Sequence, residues 1–331
     1  MKLRKPSYFD QFQCIAAACP DSCCKEWEVQ VDDASAARYL SMEGNLGDRL
    51  RGVLRREDGG YLMTIEDGRC PMWRADGLCR IQAELGEEAL CHTCREFPRL
   101  LHDYGDFQER TLELSCPEAA RLILNAPAAP MTEVEVPGEG EAEYDADAME
   151  VLLATRRRML DILSDESRPV GQVLALGLLY GCQAQGELDS GEMEEFDPVR
   201  AMETAQELAK PADTQGIVDF FLGLEILTPQ WRQRLSAPEK GAWQREQLAL
   251  ARYFVERYCQ QAVSDYDLYS RVKLGIISCL LVRLLGGDVT ETAQLYSKEI
   301  ENNSDNVEAI LDAAYMCPAF TDDKLLGALM A

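Results

Sequence analysis

The chain has 331 residues, enough for one large core or two modest ones, and its 47% hydrophobic content excludes wholesale disorder. A formal charge of −25, from 33 basic and 58 acidic residues, argues against direct nucleic-acid binding and against anionic membrane surfaces. A basic partner or a lysine-presenting substrate would be drawn to such a surface, although the charge also serves solubility alone.

The elements are read in chain order. MKLRKPSYFDQFQC is basic but has no apolar run behind it, so no secretory leader is expected. Alternation predicts strands at EWEVQV (26–31), YLMTI (61–65) and RTLEL (110–114), separated by turns at Asp58-Gly59-Gly60, Asp67-Gly68 and Asp76-Gly77. Helices are expected over about 33–56, 80–100 and 117–125, the last opening on Pro117. Residues 1–126 thus read as a small cysteine-rich α+β domain. Its 16 basic and 22 acidic residues leave −6, so the other 205 residues carry −19.

Residues 127–148 read as an acidic Pro/Gly/Ala linker, because the stretch offers too little apolar surface to order itself alone. From 149 to 331 the expected pattern is all-helical, with eight or so helices and no fixed repeat, and the whole chain is mainly α. Asp197-Pro198 and Thr228-Pro229 are N-cap and first-turn pairs. Ser236-Ala-Pro-Glu239 reads as a capping box before a helix ending near 262. A further helix near 265–285 stops at Gly286-Gly287, and Ser304 opens another. The apolar run Leu274–Leu285 is broken by Arg283 and too short for a membrane span. A cytoplasmic location is the expectation.

That compartment governs the 13 cysteines. In a reducing cytosol clustered thiols bind metal or react rather than persist as disulfides. Nine lie between Cys14 and Cys116, while Cys182, Cys259, Cys279 and Cys317 are scattered and read as structural. The metal-ligand candidates are Cys14, Cys19, Cys23 and Cys24 in CIAAACPDSCC, then Cys70, Cys79, Cys91 and Cys94, with Cys116 standing apart. Two tetrahedral zinc sites would consume eight thiolates; iron–sulfur clusters accept the same ligands at more varied spacing. Both metals stay open on spacing alone. Of the two histidines, His92 is placed for a neighbouring or substitute ligand role and His102 on a surface helix. No P-loop, dinucleotide fingerprint or C-x3-C-x2-C run occurs. No catalytic or cofactor-contacting residue is named by any motif.

Read together, F-x-C at Phe12 and Cys14, CPDSCCKEWEVQVD, G-x-C-P, L-C-x-I, LGEEALCHTCREFPR and LSCPEAARLIL resemble the bacterial flagellin lysine-N-methylases. The first part is similar to the small CxxCxxCC zinc- or iron-chelating domains. The resemblance covers about residues 8–125. It implies methyl transfer from S-adenosylmethionine to lysines of flagellin or another lysine-bearing protein, with a [4Fe–4S] cluster held by Cys14, Cys19, Cys23, Cys24, Cys70, Cys79, Cys91 and Cys94, and Cys116 beside them. The first gap is wider than in the chelating-domain pattern, and eight cysteines exceed what one cubane needs. Asp21, Glu26, Trp27, Trp73, Glu96 and Glu118 are the acids and aromatics near the cysteines that a lysine channel would draw on. The competing expectation is a non-catalytic zinc or iron module whose helical domain binds a protein partner.

Overall fold

A computed structural model describes residues 1–25, 29–57 and 59–331. The chain divides into two compact units: Gln13–Leu100 with Cys116–Glu118, and Met1–Phe12 with Leu101–Ser115 and Ala119–Ala331. The division therefore differs from the expected boundary at 126, and the difference has a local cause. Lys2–Lys5 is a strand that pairs antiparallel with Thr132–Glu135, setting Lys2 opposite Glu135 and Arg4 opposite Glu133. Basic residues on one strand face acidic residues on the other. The segment expected to be a solvated linker is thus tied down by ladder hydrogen bonds and ion pairs, which need no apolar surface. On its other edge Lys2–Lys5 runs parallel to Phe107–Leu112, and Arg99–Asp103 completes a four-stranded sheet.

The rest of this larger unit is helical. Among the described residues ten α-helices lie between Ala146 and Met330, and none of the chain's helices is long and apolar enough to cross a membrane. Leu268–Leu285 is the buried centre, its Arg271, Lys273 and Arg283 covered along with its apolar residues. Lys273 Nζ is satisfied there by the carbonyls of Ala314 and Phe320, at 2.8 and 3.0 Å, and by Asp322 at 2.7 Å. Gly286, at φ +64°, ends the helix as expected. Asp197 and Thr228 cap Pro198–Leu208 and Pro229–Ser236. The capping box at Ser236 does not form: Ser236 closes one helix and the next is Glu246–Tyr258. Asn303, not Ser304, caps Ser304–Met316 through its side chain.

This core encloses charge as well as rings. Tyr253, Tyr258 and Arg257 converge on Glu301, and Tyr8 Oη donates to Glu256 Oε2 at 2.9 Å. Burial, opposed by the Tyr8 hydrogen bond and by Arg156 and Arg252, pushes the Glu256 carboxyl from 4.5 up to about 7. The folded protein then holds a proton that the unfolded chain has already released between those values. Stability is therefore expected to fall as pH rises from about 4.5 to 7, by up to about 3 kcal/mol from this group, and to level off above. Glu256→Gln keeps an oxygen for Tyr8 and should flatten that slope and stabilise the protein on the alkaline side. Urea unfolding on both sides of the window checks it; an unchanged slope would remove Glu256 as the cause.

The smaller unit is built on short elements. Val29–Val31, Gly60–Met63 and Leu54–Glu57 form a three-stranded antiparallel sheet. The expected helix over 33–56 is two, Asp33–Ser41 and Gly44–Val53, broken where Met42 is extended and Gly44 takes φ +80°, and residues 54–57 are strand. The expected helix over 80–100 is cut at Gly86, φ +87°, into Arg80–Leu85 and the short His92–Glu96. Val29, Val31, Tyr39, Leu50, Met63, Met72 and Ile81 make the core, and Cys24, Cys70, Cys79, Cys91 and Cys94 pack into it.

Candidate metal centre

Three backbone devices bring the cysteines together. Cys70 N–H donates to the Cys24 carbonyl at 2.7 Å, joining the first group to the second across 45 residues of chain. The turn at Asp76-Gly77 folds Cys79 back so that it bridges Trp73 and Arg80 N–H reaches Met72 O at 2.7 Å. Cys79 and Cys91 each sit at the cap position of a short helix, with backbone amides ahead of the sulfur.

The result is a shared thiol. Cys24 lies among Cys23, Cys70 and Cys79, and its single thiol proton serves one of them at a time. Its hydrogen bond is the largest influence on all three partners and lowers their pKa values; Cys79, helped by the amides of Gln82 and Ile81, falls to about 6. Cys24 itself is driven the opposite way because it keeps the proton the others share. Cys91 and Cys94 form a second pair of the same kind, Cys91 drawn down to about 7 and Cys94 raised. Cys94 also feels Cys23 and Cys79, and Cys19 feels Cys14 and Cys23. Eight of the nine expected ligands are thereby linked in one electrostatic network. Cys116, the ninth, is buried just ahead of Pro117–Asn125 in the same unit. None of the 13 cysteines is in a disulfide.

Among the described residues no group of three or more His, Cys, Asp or Glu side chains stands in the geometry of a metal site. The chemistry of the donor set nonetheless suits a thiolate-bound metal: Cys23, Cys70 and Cys79 each neighbour Cys24, which lowers their pKa values, and sulfur is a soft ligand for iron–sulfur or zinc. A metal loaded onto such a set would release the shared proton.

The remaining candidates divide. His92 is exposed, and its backbone N–H donates to Asp32 Oδ2 at 2.8 Å. His102 is not on a surface helix: it lies on strand Arg99–Asp103, half-buried, where burial and then Arg257 lower its pKa. Asp21 and Trp73 converge on a lysine of the chain itself, Lys25, whose Nζ is 3.1 Å from Asp21 Oδ1 and 5.2 Å from the Trp73 ring centre. Glu96 ends the short helix after Cys94, and Glu118 lies in the first turn after Cys116. Glu26 and Trp27 lie outside the described residues. Of the four cysteines read as structural, Cys259 and Cys279 are buried, Cys317 is half-buried and Cys182 is exposed.

The sequence reading missed a group of arginines in the larger unit: Arg4, Arg156, Arg157 and Arg252 line one cavity with the segment 128–131. The run Arg156-Arg157-Arg158, in a chain of −25, was the available signal.

Over 130 residues, 37% of this chain, it is 34% identical to the lysine-N-methylase of Salmonella typhimurium strain LT2 and equally to that of Salmonella choleraesuis strain SC-B67. The match spans about a third, 32%, of each of those proteins. It is 35% identical over 130 residues to the flagellar biosynthetic protein FliU of Salmonella muenchen, covering 77% of that protein. No family model and no solved structure matches the chain.

Proposed function

We propose, from the premise that this chain belongs to the flagellin lysine-N-methylase family, that it methylates lysine ε-amino groups of flagellin or of another lysine-bearing protein. S-adenosylmethionine is the donor in this reading, and a [4Fe–4S] cluster, with zinc as the alternative metal, is held by thiols of the smaller unit. A reducing cytoplasm is the compartment that keeps those thiols available.

The observation that carries the reading is the convergence of Cys23, Cys24, Cys70 and Cys79 in a chain with this kinship. These four would hold the metal first, with Cys91 and Cys94 as the adjoining pair. A centre there staples a unit whose own apolar core is small. Bound S-adenosylmethionine supplies an electrophilic methyl group. The chain's part is to bind the acceptor lysine, strip its proton and exclude water, since only the neutral amine is nucleophilic. The acid and aromatic that already embrace Lys25 display the recognition an ammonium needs: a carboxylate at 3.1 Å and a ring face.

Two measurements test this. Anaerobic purification with iron, sulfide and zinc analysis identifies the metal. Incubation of the metal-loaded chain with flagellin and S-adenosylmethionine should then yield methylated lysines by mass spectrometry. A cluster-loaded protein inactive on flagellin and several other lysine-rich proteins would leave the metal-stapled binding module as the reading.

A further inference from the structure

The larger unit contains a cavity of about 730 Å³, within the roughly 300–1,000 Å³ that small-molecule sites occupy. One wall is a single helix, Ala146–Ile162, whose lining residues run from Ala146 to Asp161, about 22 Å at the helical rise. Another wall is the segment 128–131, Ala-Ala-Pro-Met. The cavity is therefore long.

Its chemistry is spread unevenly along that length. Met149, Leu153 and Leu160, four and seven residues apart, share a face of the helix, and Met131 joins them from the other wall. Most of the charge in the walls is already answered. Arg156 is committed to Glu109 at 2.7 Å through both terminal nitrogens, and Arg4 is met by Glu133 at 3.0 Å and Glu109 at 3.9 Å. Glu150, Arg157 and Asp161 are exposed to water.

Arg252 differs. It stands where the helix finishes, half-buried, and donates to the carbonyls of Leu163 at 3.1 Å and Ala126 at 3.5 Å. Glu256 and Glu166 act on it electrostatically, but among the described residues no carboxylate forms an ion pair with it, and burial holds its pKa below the usual value. A half-buried cation without an anion is short of a partner. The cavity thus presents one unanswered cation at one end and an apolar stripe leading away from it. A sugar or nucleotide would set hydroxyls and ring nitrogens against Met and Leu side chains, and a basic peptide would be repelled by Arg252. A single carboxylate on an unbranched apolar tail matches both features.

We propose that this cavity binds a long-chain fatty-acid carboxylate, its head on Arg252 and its chain along Leu160, Leu153, Met149 and Met131. The site is separate from the cysteines and does not depend on the methyl-transfer reading.

Isothermal titration of the anaerobically purified full chain with octanoate, decanoate, dodecanoate and dodecanol tests it. Dodecanoate should bind with one equivalent, and affinity should rise about tenfold for each two carbons added. Dodecanol, with the same chain and no charge, should bind about tenfold or more weakly, and Arg252→Met should weaken dodecanoate to a similar degree. Ala129→Trp fills the cavity from the facing wall without touching the guanidinium and should abolish binding. No binding of dodecanoate by the wild type overturns the proposal, as does equal affinity for dodecanoate and dodecanol. Wild-type binding by Ala129→Trp overturns it too, because the ligand would then sit elsewhere. Where Arg252→Met fails to fold, the acid-to-alcohol ratio of the wild type and the Ala129→Trp result decide.

Discussion

Cys24→Ser is expected to empty the proposed metal centre, lowering the metal-to-protein ratio about tenfold or more, whereas Cys182→Ser leaves it unchanged. The reasoning starts from the shared proton. Cys24 neighbours three other thiols, so its loss removes both a proposed ligand and the influence that lowers the pKa values of Cys23, Cys70 and Cys79. Serine is nearly isosteric but a hard, poorly acidic donor that soft metals do not accept in place of sulfur. Even neighbours that only orient a ligand cost 10–100-fold in affinity when lost, and a ligand at the hub should cost at least as much. The effect should reach the fold, because Cys24, Cys70 and Cys79 are packed against Met63, Met72 and Ile81. Proteolysis of the variant should begin within 13–100 while the helical unit resists. Retention of full metal by Cys24→Ser would move the site to Cys91, Cys94 and the earlier cysteines; Cys14→Ser, altering an exposed residue outside the group around Cys24, should be the mildest of the set.

Much of this was legible in the sequence because it depends on local chemistry. The caps at Asp197 and Thr228, the stop at Gly286 and the buried run from Leu274 each need only a few adjacent residues, and each formed as read. The packing of Cys24, Cys70, Cys79, Cys91 and Cys94 into one small core was foreshadowed by the crowding of nine cysteines between Cys14 and Cys116. What could not be read was set by partners far along the chain. The acidic stretch after 126 has no apolar pattern, and it orders because Glu133 and Glu135 meet Arg4 and Lys2 more than 120 residues away. That pairing also removes the expected boundary and builds a wall of the cavity. The helices over 33–56 and 80–100 failed at Gly44 and Gly86, where a positive φ ends a periodicity that the flanking residues continue. Ser236 carried a capping-box pattern, but Leu235, buried at 1% exposure, binds that turn into the preceding helix.

The second large effect is expected at Glu109–Arg156. Glu109 lies on Phe107–Leu112, in register with Arg4 on the neighbouring parallel strand, and both it and Arg156 are almost wholly buried. Burial pulls the pKa of the guanidinium down; the carboxylate beside it more than offsets that and holds Arg156 above its ordinary value. The pair is bidentate at 2.7 Å, the geometry in which such bonds are strongest. Removing one partner leaves an uncompensated charge in the core, so Arg156→Met and Glu109→Leu should each cost about 3–5 kcal/mol of unfolding free energy. Arg4, 3.9 Å from Glu109, should soften the loss of Arg156 more than that of Glu109. The double variant replaces an ion pair with apolar volume and should recover most of the stability, because the two desolvation penalties vanish together. Urea denaturation of the four proteins closes the cycle. Additive losses would show that the two side chains act separately, and near-zero single effects would show that water reaches the pair. Since Arg156 also forms part of the cavity wall, the double variant carries a second expectation: a refolded core whose wall is uncharged at that point, beside Arg4, Arg157 and Arg252.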